Sequence, residues 1–278
     1  MRFDYVVAAA AVFLSAPAFA QANDQPMPDP KEVGHHWTIA LGAGYAPDYV
    51  GSDDYRLIPA AAVRGTIGRV AISTQSTYVY ADPFPRGDGI DLDLGPIVGV
   101  RLNRTREVKD DFVDRLPERK TAIEAGGFVG VSLHNLTNPY DTLQFRVDAV
   151  HDFANAHEST VVSPYVTFST PLSRRTYASA SIGADFASNK FADYYFSITP
   201  ADALASGLDP FNASGGMKSW STSLLVNQSL TGDLLGGLSI FGTVNYSHLL
   251  GDFRRSPIVS DRGSASQWLA AAGLAYTF

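Results

Sequence analysis

The chain has 278 residues, 45% hydrophobic and 18% charged, with a formal net charge of −7 and no cysteine. That balance excludes a disordered polymer and leaves no basic footprint for nucleic acid. Without cysteine there is no disulfide framework, thiolate metal site or lipidated N-terminal cysteine.

The first twenty residues read as a signal peptide. Arg2 provides a positive start, Val6 to Leu14 form a short apolar run, and Ala18-Phe19-Ala20 precedes Gln21 as an A-x-A cleavage site. Residues 21–36 are polar, carry Pro26, Pro28 and Pro30, and read as a flexible periplasmic lead-in. No later run of 18 apolar residues occurs, so an exported chain either stays soluble or crosses a membrane as strands.

From Trp37 to the end the hydrophobic pattern has a period of two, in segments of about ten residues. Strands are expected near 37–47, 55–66, 69–81, 90–103, 121–133, 142–152, 160–170, 176–187, 190–199, 215–229, 235–248 and 266–278. Their even number suits an all-β, transmembrane antiparallel β-barrel of about 12 strands, of the bacterial outer-membrane type. A soluble sandwich would show the same alternation. Three features favour the barrel. Aromatics gather at segment ends as an interfacial girdle would require (Tyr45, Tyr49, Tyr78, Tyr80, Tyr194, Tyr195, Phe196, Trp220, Tyr246), the greasy face is rich in Ala, and Phe278 closes a strand.

On this topology 48–54, 82–89, 200–214 and 249–265 are extracellular loops. A twelve-strand count puts the charged stretch 104–120 on the periplasmic side, but it is long for a turn there and the sequence leaves its side open. The polar face of the strands places Asp91, Asp93, Arg101, Glu124, Arg146, Asp148 and Asp185 in the lumen. Mixed charges in a barrel of this width point to cross-lumen ion pairs, with an ion-selective pore as the alternative.

Chemistry is sparse. The six histidines (35, 36, 134, 151, 157, 248) sit in no H-E-x-x-H, and no G-x-S-x-G elbow is present. His151-Asp152 is adjacent in sequence, but neighbouring strand residues face opposite sides. His134 and His248 lie at strand ends. Asp48, Asp53, Asp54, Asp82 and Asp88 supply oxygen ligands of the kind calcium prefers, without EF-hand spacing, and fit solvated turns better. His35-His36 lack a third metal ligand. Arg254, Arg255 and Arg262 of the last loop suit lipopolysaccharide phosphates. No catalytic set and no cofactor are expected.

Three stretches carry a family resemblance. The first is Gly42-Ala43-Gly44-Tyr45-Ala46-Pro47-Asp48-Tyr49-Val50-Gly51-Ser52-Asp53-Asp54-Tyr55, running into Arg56-Leu57-Ile58-Pro59. The second is Tyr194-Tyr195-Phe196-Ser197-Ile198 followed by Ala205-Ser206-Gly207-Leu208. The third is Ser256-Pro257-Ile258-Val259, then Gln267, then the closing Tyr276-Thr277-Phe278. Together they resemble the MipA/OmpV family of outer-membrane proteins over nearly the whole mature chain. The resemblance implies a barrel in the outer membrane of a Gram-negative bacterium. It also implies a non-enzymatic scaffold that joins a lytic murein transglycosylase to a penicillin-binding protein. Other members are linked to adhesion or stress, so a surface adhesin and a small-solute pore stay open, and no catalytic residue is carried over. The last strand, with Trp268, Tyr276 and Phe278 at alternate positions, resembles the signal read by the barrel-assembly machinery, which can pair with an exposed strand edge.

Overall fold

The computed structural model describes residues 37–84 and 89–278; the cleavage site Ala18-Phe19-Ala20-Gln21, the lead-in 21–36 and Asp88 lie outside them. Twelve antiparallel strands close into one barrel. They are β1 (Thr38–Pro47), β2 (Tyr55–Ile67), β3 (Val70–Gln75), β4 (Tyr78–Asp82), β5 (Ile90–Arg101), β6 (Ala122–His134), β7 (Thr142–Asp152), β8 (Thr160–Pro171), β9 (Thr176–Ala187), β10 (Gly216–Ser229), β11 (Gly237–Leu249) and β12 (Ser266–Thr277). Among the described residues five short helices lie in the loops: α1 (Asp111–Asp114), α2 (Asn189–Phe196), α3 (Pro200–Ser206), α4 (Gly251–Arg255) and α5 (Pro257–Ser260). No helix among the described residues is long and apolar enough to cross a membrane.

Each strand alternates as its sequence does. In β1, Ile39, Leu41 and Tyr45 are exposed on the outside while Ala40 and Ala46 are buried within. In β5, Ile90, Leu92, Leu94 and Val98 face out and Asp93 and Ile97 face in. An exposed apolar outer band on a closed sheet leaves lipid as its natural solvent. Aromatic rings mark its two edges. Trp220, Tyr246 and Trp268 meet in a row across β10, β11 and β12, edge-on and tilted (centroids 5.3 and 4.7 Å apart), and Tyr45 stacks on Tyr55 at 5.2 Å. At the opposite edge Tyr276 stacks on Phe278.

The barrel closes where β1 meets β12, with Thr38 opposite Thr277 and Gly42 opposite Gly273. The backbones approach so closely there that a Cβ on Gly42 would stand 2.2 Å from the Ala272 carbonyl oxygen. Glycine at this crossing is a packing requirement rather than a turn signal.

Two of the expected strands are corrected. The span 69–81 is a hairpin, β3 and β4, turned at Ser76 and Thr77 with Ser76 in the left-handed region (φ 53). The span 190–199 is mostly helix α2. Ser188 caps it, its Oγ accepting from the Phe191 amide, and Phe191, Ala192, Tyr195 and Phe196 make one buried face. That spacing is helical, with i, i+1, i+4 and i+5 on one side. The two departures cancel in the count but not in the topology. Every strand between 90 and 187 runs opposite to the expected direction.

The sides of two loops change as a result. The C-terminal end of β4 and the start of β5, which flank the stretch expected outside, lie at the end that holds Trp37 and Phe278, whose backbones pair (Trp37 N to Phe278 O, 3.0 Å). The stretch 104–120 lies at the other end, with 48–54, 153–159, 188–215 and 250–265. Long loops mark the extracellular end of such barrels and short turns the periplasmic one. The charged segment is therefore extracellular, not periplasmic.

Candidate functional site

The lumen and the long-loop end hold the molecule's concentrated polar chemistry. Asp91, Asp93, Arg101, Glu124, Arg146, Asp148 and Asp185 all sit on the inward face of β5, β6, β7 and β9, and they fall into separate groups. Arg101 makes a two-pronged pair with Glu124 (Nε to Oε1 2.8 Å, Nη2 to Oε2 3.0 Å). Tyr78 donates to the same carboxylate. Arg146 pairs with Asp148 at 2.7 and 3.2 Å, and Tyr80 donates to Asp148 at 3.1 Å. The Arg146 guanidinium also lies 4.2 Å from the Phe128 ring centroid, 4.5 Å from Tyr80 and 5.2 Å from Tyr165. Three rings around one cation exchange its hydration for π faces. Asp185 takes Lys218 Nζ at 2.8 Å and Ser163 Oγ at 2.6 Å. Asp93 accepts from Ser132 (2.6 Å) and Gln144 (2.7 Å), and Asp91 lies 3.0 Å from His134 Nε2. These are short ties, between nearby strands or, for Arg146–Asp148, along β7 itself, with each charge closed on a near neighbour.

Strand alternation could not find several members of these groups. Lys218 belongs by parity to the outer face with Trp220, but a β-bulge between Met217 and Ser219 turns it inward onto Asp185. Tyr78 and Tyr80 are lumen residues and not girdle residues as expected, because β4 is a separate strand. Tyr165 could have been read from the parity of β8. Loop residue His157 had no signal in the sequence. Its Nδ1 lies 2.8 Å from Ser159 Oγ and its Nε2 2.8 Å from Glu124 Oε1. A serine, a histidine and a glutamate in contact resemble a nucleophile relay. Here all three are buried, and Glu124 is also held by Arg101 and Tyr78. Their evident effect is to pin loop 153–159 to the barrel wall.

A helical cap covers the long-loop end. Phe191, Tyr195 and Phe196 of α2, Phe253 of α4, and Ile258 and Val259 of α5 are buried together with Tyr49, Val113 and Leu116. Phe196 and Phe253 meet edge to face at 5.1 Å. Tyr49, Tyr195 and Phe196 therefore belong to this apolar core, while Tyr194 sits half-buried at its edge; the girdle role expected for them is not what they do.

The family-motif loop Pro47, Asp48, Tyr49, Gly51, Ser52, Asp53, Asp54 and Tyr55 holds the cap down. Tyr49 donates to the Ile258 and Arg262 carbonyls at 3.0 and 3.1 Å. Burial foremost, and then Asp110, raise its phenol well above the usual tyrosine value. Gly51, at φ 104, lies against Val259, where a Cβ would come within 2.4 Å of Cγ2. Ser52 bridges to Gly263 and its Oγ accepts from Asp54 N. Tyr55 Oη accepts from Trp268 N. Asp48 pairs with Arg56 and accepts from Lys109 N, so its carboxylate is engaged by protein. The second stretch joins in, with Ser256 Oγ donating to the Phe196 carbonyl. The loop parts of the three stretches that carry the family resemblance are thus one packed object, while the closing Tyr276-Thr277-Phe278 lies at the opposite edge of the barrel. Arg262 is likewise committed, donating to Asp110 at 2.7 and 3.0 Å across the Phe112 ring, and Arg255 pairs with Asp252.

No curated protein matches the chain. Among solved structures, OmpT of Vibrio cholerae aligns over 88% of this chain and 97% of its own at 7% identity and a TM-score of 0.36. The CymD monoaromatic hydrocarbon channel aligns over 88% of each chain at 10% identity and a TM-score of 0.40. OccK11 of Pseudomonas aeruginosa aligns over 88% and 95% at 12% identity and a TM-score of 0.31. Overlaps this loose carry no argument about function, and the barrel assignment rests on the closed sheet itself. A family model, described as MltA-interacting protein MipA, matches residues 39–278, from the first strand to the last residue. The chain, an outer-membrane-type barrel in architecture, belongs to the MipA family.

Proposed function

We propose that the protein is a non-catalytic scaffold of the outer membrane that brings a lytic murein transglycosylase and a penicillin-binding protein together at the cell wall. The observation that carries this reading is the family match, whose description records an interaction with MltA. The state of the barrel supports it. The lumen charges are held by their near neighbours and the mouth is covered by a packed cap, an arrangement suited to a stable platform more than to flow.

The periplasmic face is the docking surface in this reading. It comprises the turns 135–141, 172–175 and 230–236, where Leu136, Leu172 and Leu230 are exposed, together with the lead-in 21–36. The segment 104–120 drops out of the docking surface, because it lies at the opposite end. Lipopolysaccharide around the barrel and the barrel-assembly machinery acting on β12, through Trp268, Tyr276 and Phe278, are the remaining partners proposed.

Affinity purification of the tagged protein from crosslinked envelopes tests the reading. A murein transglycosylase or penicillin-binding protein enriched over a control barrel supports it. Recovery of the assembly machinery and lipopolysaccharide factors alone overturns it. Recognition at the outer surface is a second reading, favoured by one observation: Leu204 of α3 stands 90% exposed on the cap. Loss of host-surface adhesion on Leu204→Asp, with the barrel intact, would select it.

A further inference from the structure

We propose that Arg104 and Arg119, inside the extracellular cap, form a binding site for a single phosphate group. The proposal is independent of the scaffold reading, which concerns the other end of the barrel.

The site begins with an unusual backbone. Just past the end of β5, Arg104 adopts φ 54, a left-handed conformation that residues with side chains rarely take. The turn sends its side chain under the last turn of α2, where Nη2 donates to the Tyr195 carbonyl at 3.1 Å. Arg119 returns along the same segment, its amide donating to the Arg104 carbonyl at 2.7 Å. Its guanidinium lies 4.9 Å from the centroid of the Tyr194 ring.

Both cations are under-satisfied. Nε and Nη1 of Arg104 and Nε of Arg119 are buried without a hydrogen-bond acceptor. Among the described residues neither guanidinium is in an ion pair, whereas Arg101, Arg146 and Arg262 each hold a carboxylate. Asp202 acts electrostatically on both, but its Oδ2 is taken by the Thr199 amide and hydroxyl in the N-cap of α3. Burial, and after it the charge of Arg119, pull Arg104 down to about 10. Two like charges withdrawn from water beside each other are costly unless an anion joins them.

The ligand class follows from the donors. Arginine forks present paired N–H groups at the spacing of phosphate oxygens, and two of them match a doubly charged tetrahedral anion. Arg104 is only 4% exposed, so the occupant has to be small at that point. Arg119 and Tyr194, both half-buried, form the open side. Free inorganic phosphate and the phosphate of a phosphorylated envelope sugar share this chemistry.

The test is calorimetric titration of the full chain, refolded in detergent, with inorganic phosphate and separately with glucose 1-phosphate, against sodium chloride at equal ionic strength. One saturable site for at least one phosphate probe is expected. Arg104→Gln and Arg119→Gln should each weaken it about tenfold or more, the worth of a charge-assisted hydrogen bond. Heat-modifiable migration on gels reports that the variants are folded; if Arg104→Gln does not fold, Arg119→Gln decides. Saturation by phosphate alone identifies the free ion, and tighter binding of the sugar phosphate identifies a saccharide ligand. The absence of saturable binding up to about 10 mM, a range that would reveal any site of useful affinity, overturns the proposal. Binding that survives the substitutions overturns it equally.

Discussion

Gln267 holds the first loop to the last strand with both ends of its amide: Oε1 accepts from Gly51 N at 3.0 Å and Nε2 donates to the Ser52 carbonyl at 2.9 Å. A third bond, from Nε2 to the Ser264 carbonyl at 2.6 Å, ties in the loop before β12. Gln267→Ala would remove the side-chain partner of two buried backbone groups and one part-buried one, at a cost on the order of 2–3 kcal/mol. The cap should loosen while the barrel stays closed, seen as faster proteolysis within 250–265 and unchanged heat-modifiable migration.

The charged lumen makes a separate prediction. Arg146 sits among Tyr80, Phe128 and Tyr165 with Asp148 beside it. Arg146→Ala strands the Asp148 carboxylate, and breaking a buried pair from one side costs about 3–5 kcal/mol. A fall in the denaturant midpoint is expected. Arg146→Ala with Asp148→Ala should recover part of it, because no uncompensated charge remains. In planar bilayers the double variant should conduct more than the parent, which tests whether these side chains obstruct the lumen.

How much of this was legible in the sequence depends on the range of the interaction. The lumen face of β5, β6 and β7 was readable because alternation is local and survives a reversal of strand direction. The hairpin at Ser76 was not, because Ser76 and Thr77 are weak turn signals with no Gly, Pro, Asn or Asp beside them, and the alternation runs through them. Helix α2 was hidden by Tyr194, Tyr195 and Phe196, which favour strands intrinsically; burial of one helical face overrode that preference. Ser188, three residues before Phe191, was the available start signal. Lys218 on Asp185 depends on a bulge that no local pattern marks. The cap itself is a long-range object. Gly51 and Val259 meet across the whole chain, and nothing in the local pattern of either stretch pairs them.

Acid should release the cap at the Asp110–Arg262 pair. Burial alone would raise the Asp110 carboxyl, but the hydrogen bonds from Arg262 and the Val113 amide outweigh it and leave it below its ordinary value of 3.8. A lowered folded value means that the contribution is complete above the unfolded value and is lost as pH falls through the folded one. Loop proteolysis by an acid-active protease should therefore rise below about pH 4. Asp110→Asn should show the raised rate already at neutral pH and a flatter profile below it. An unchanged profile would mean that the pair does not hold the cap.

Closure of the barrel turns on the β1–β12 crossing. Gly42 and Gly273 face each other, and a Cβ on Gly273 would stand 2.2 Å from the Leu41 carbonyl oxygen, as one on Gly42 would from Ala272. Neither obstacle is a flexible side-chain tip; both are ladder carbonyls, so a larger residue must push the strands apart. Gly42→Val is expected to prevent the last strand from docking on the first and to leave an open sheet with unpaired edges, which lipid does not tolerate. Gly242, on the lipid face of β11, has nothing within 4 Å of where its Cβ would be. Gly242→Val should therefore assemble normally, since β-branched residues suit strands. Comparing the heat-modifiable folded fraction of the two variants in envelopes separates a requirement of the seam from a general intolerance of bulk. Equal folding of both would show that the seam can spread to admit the side chain.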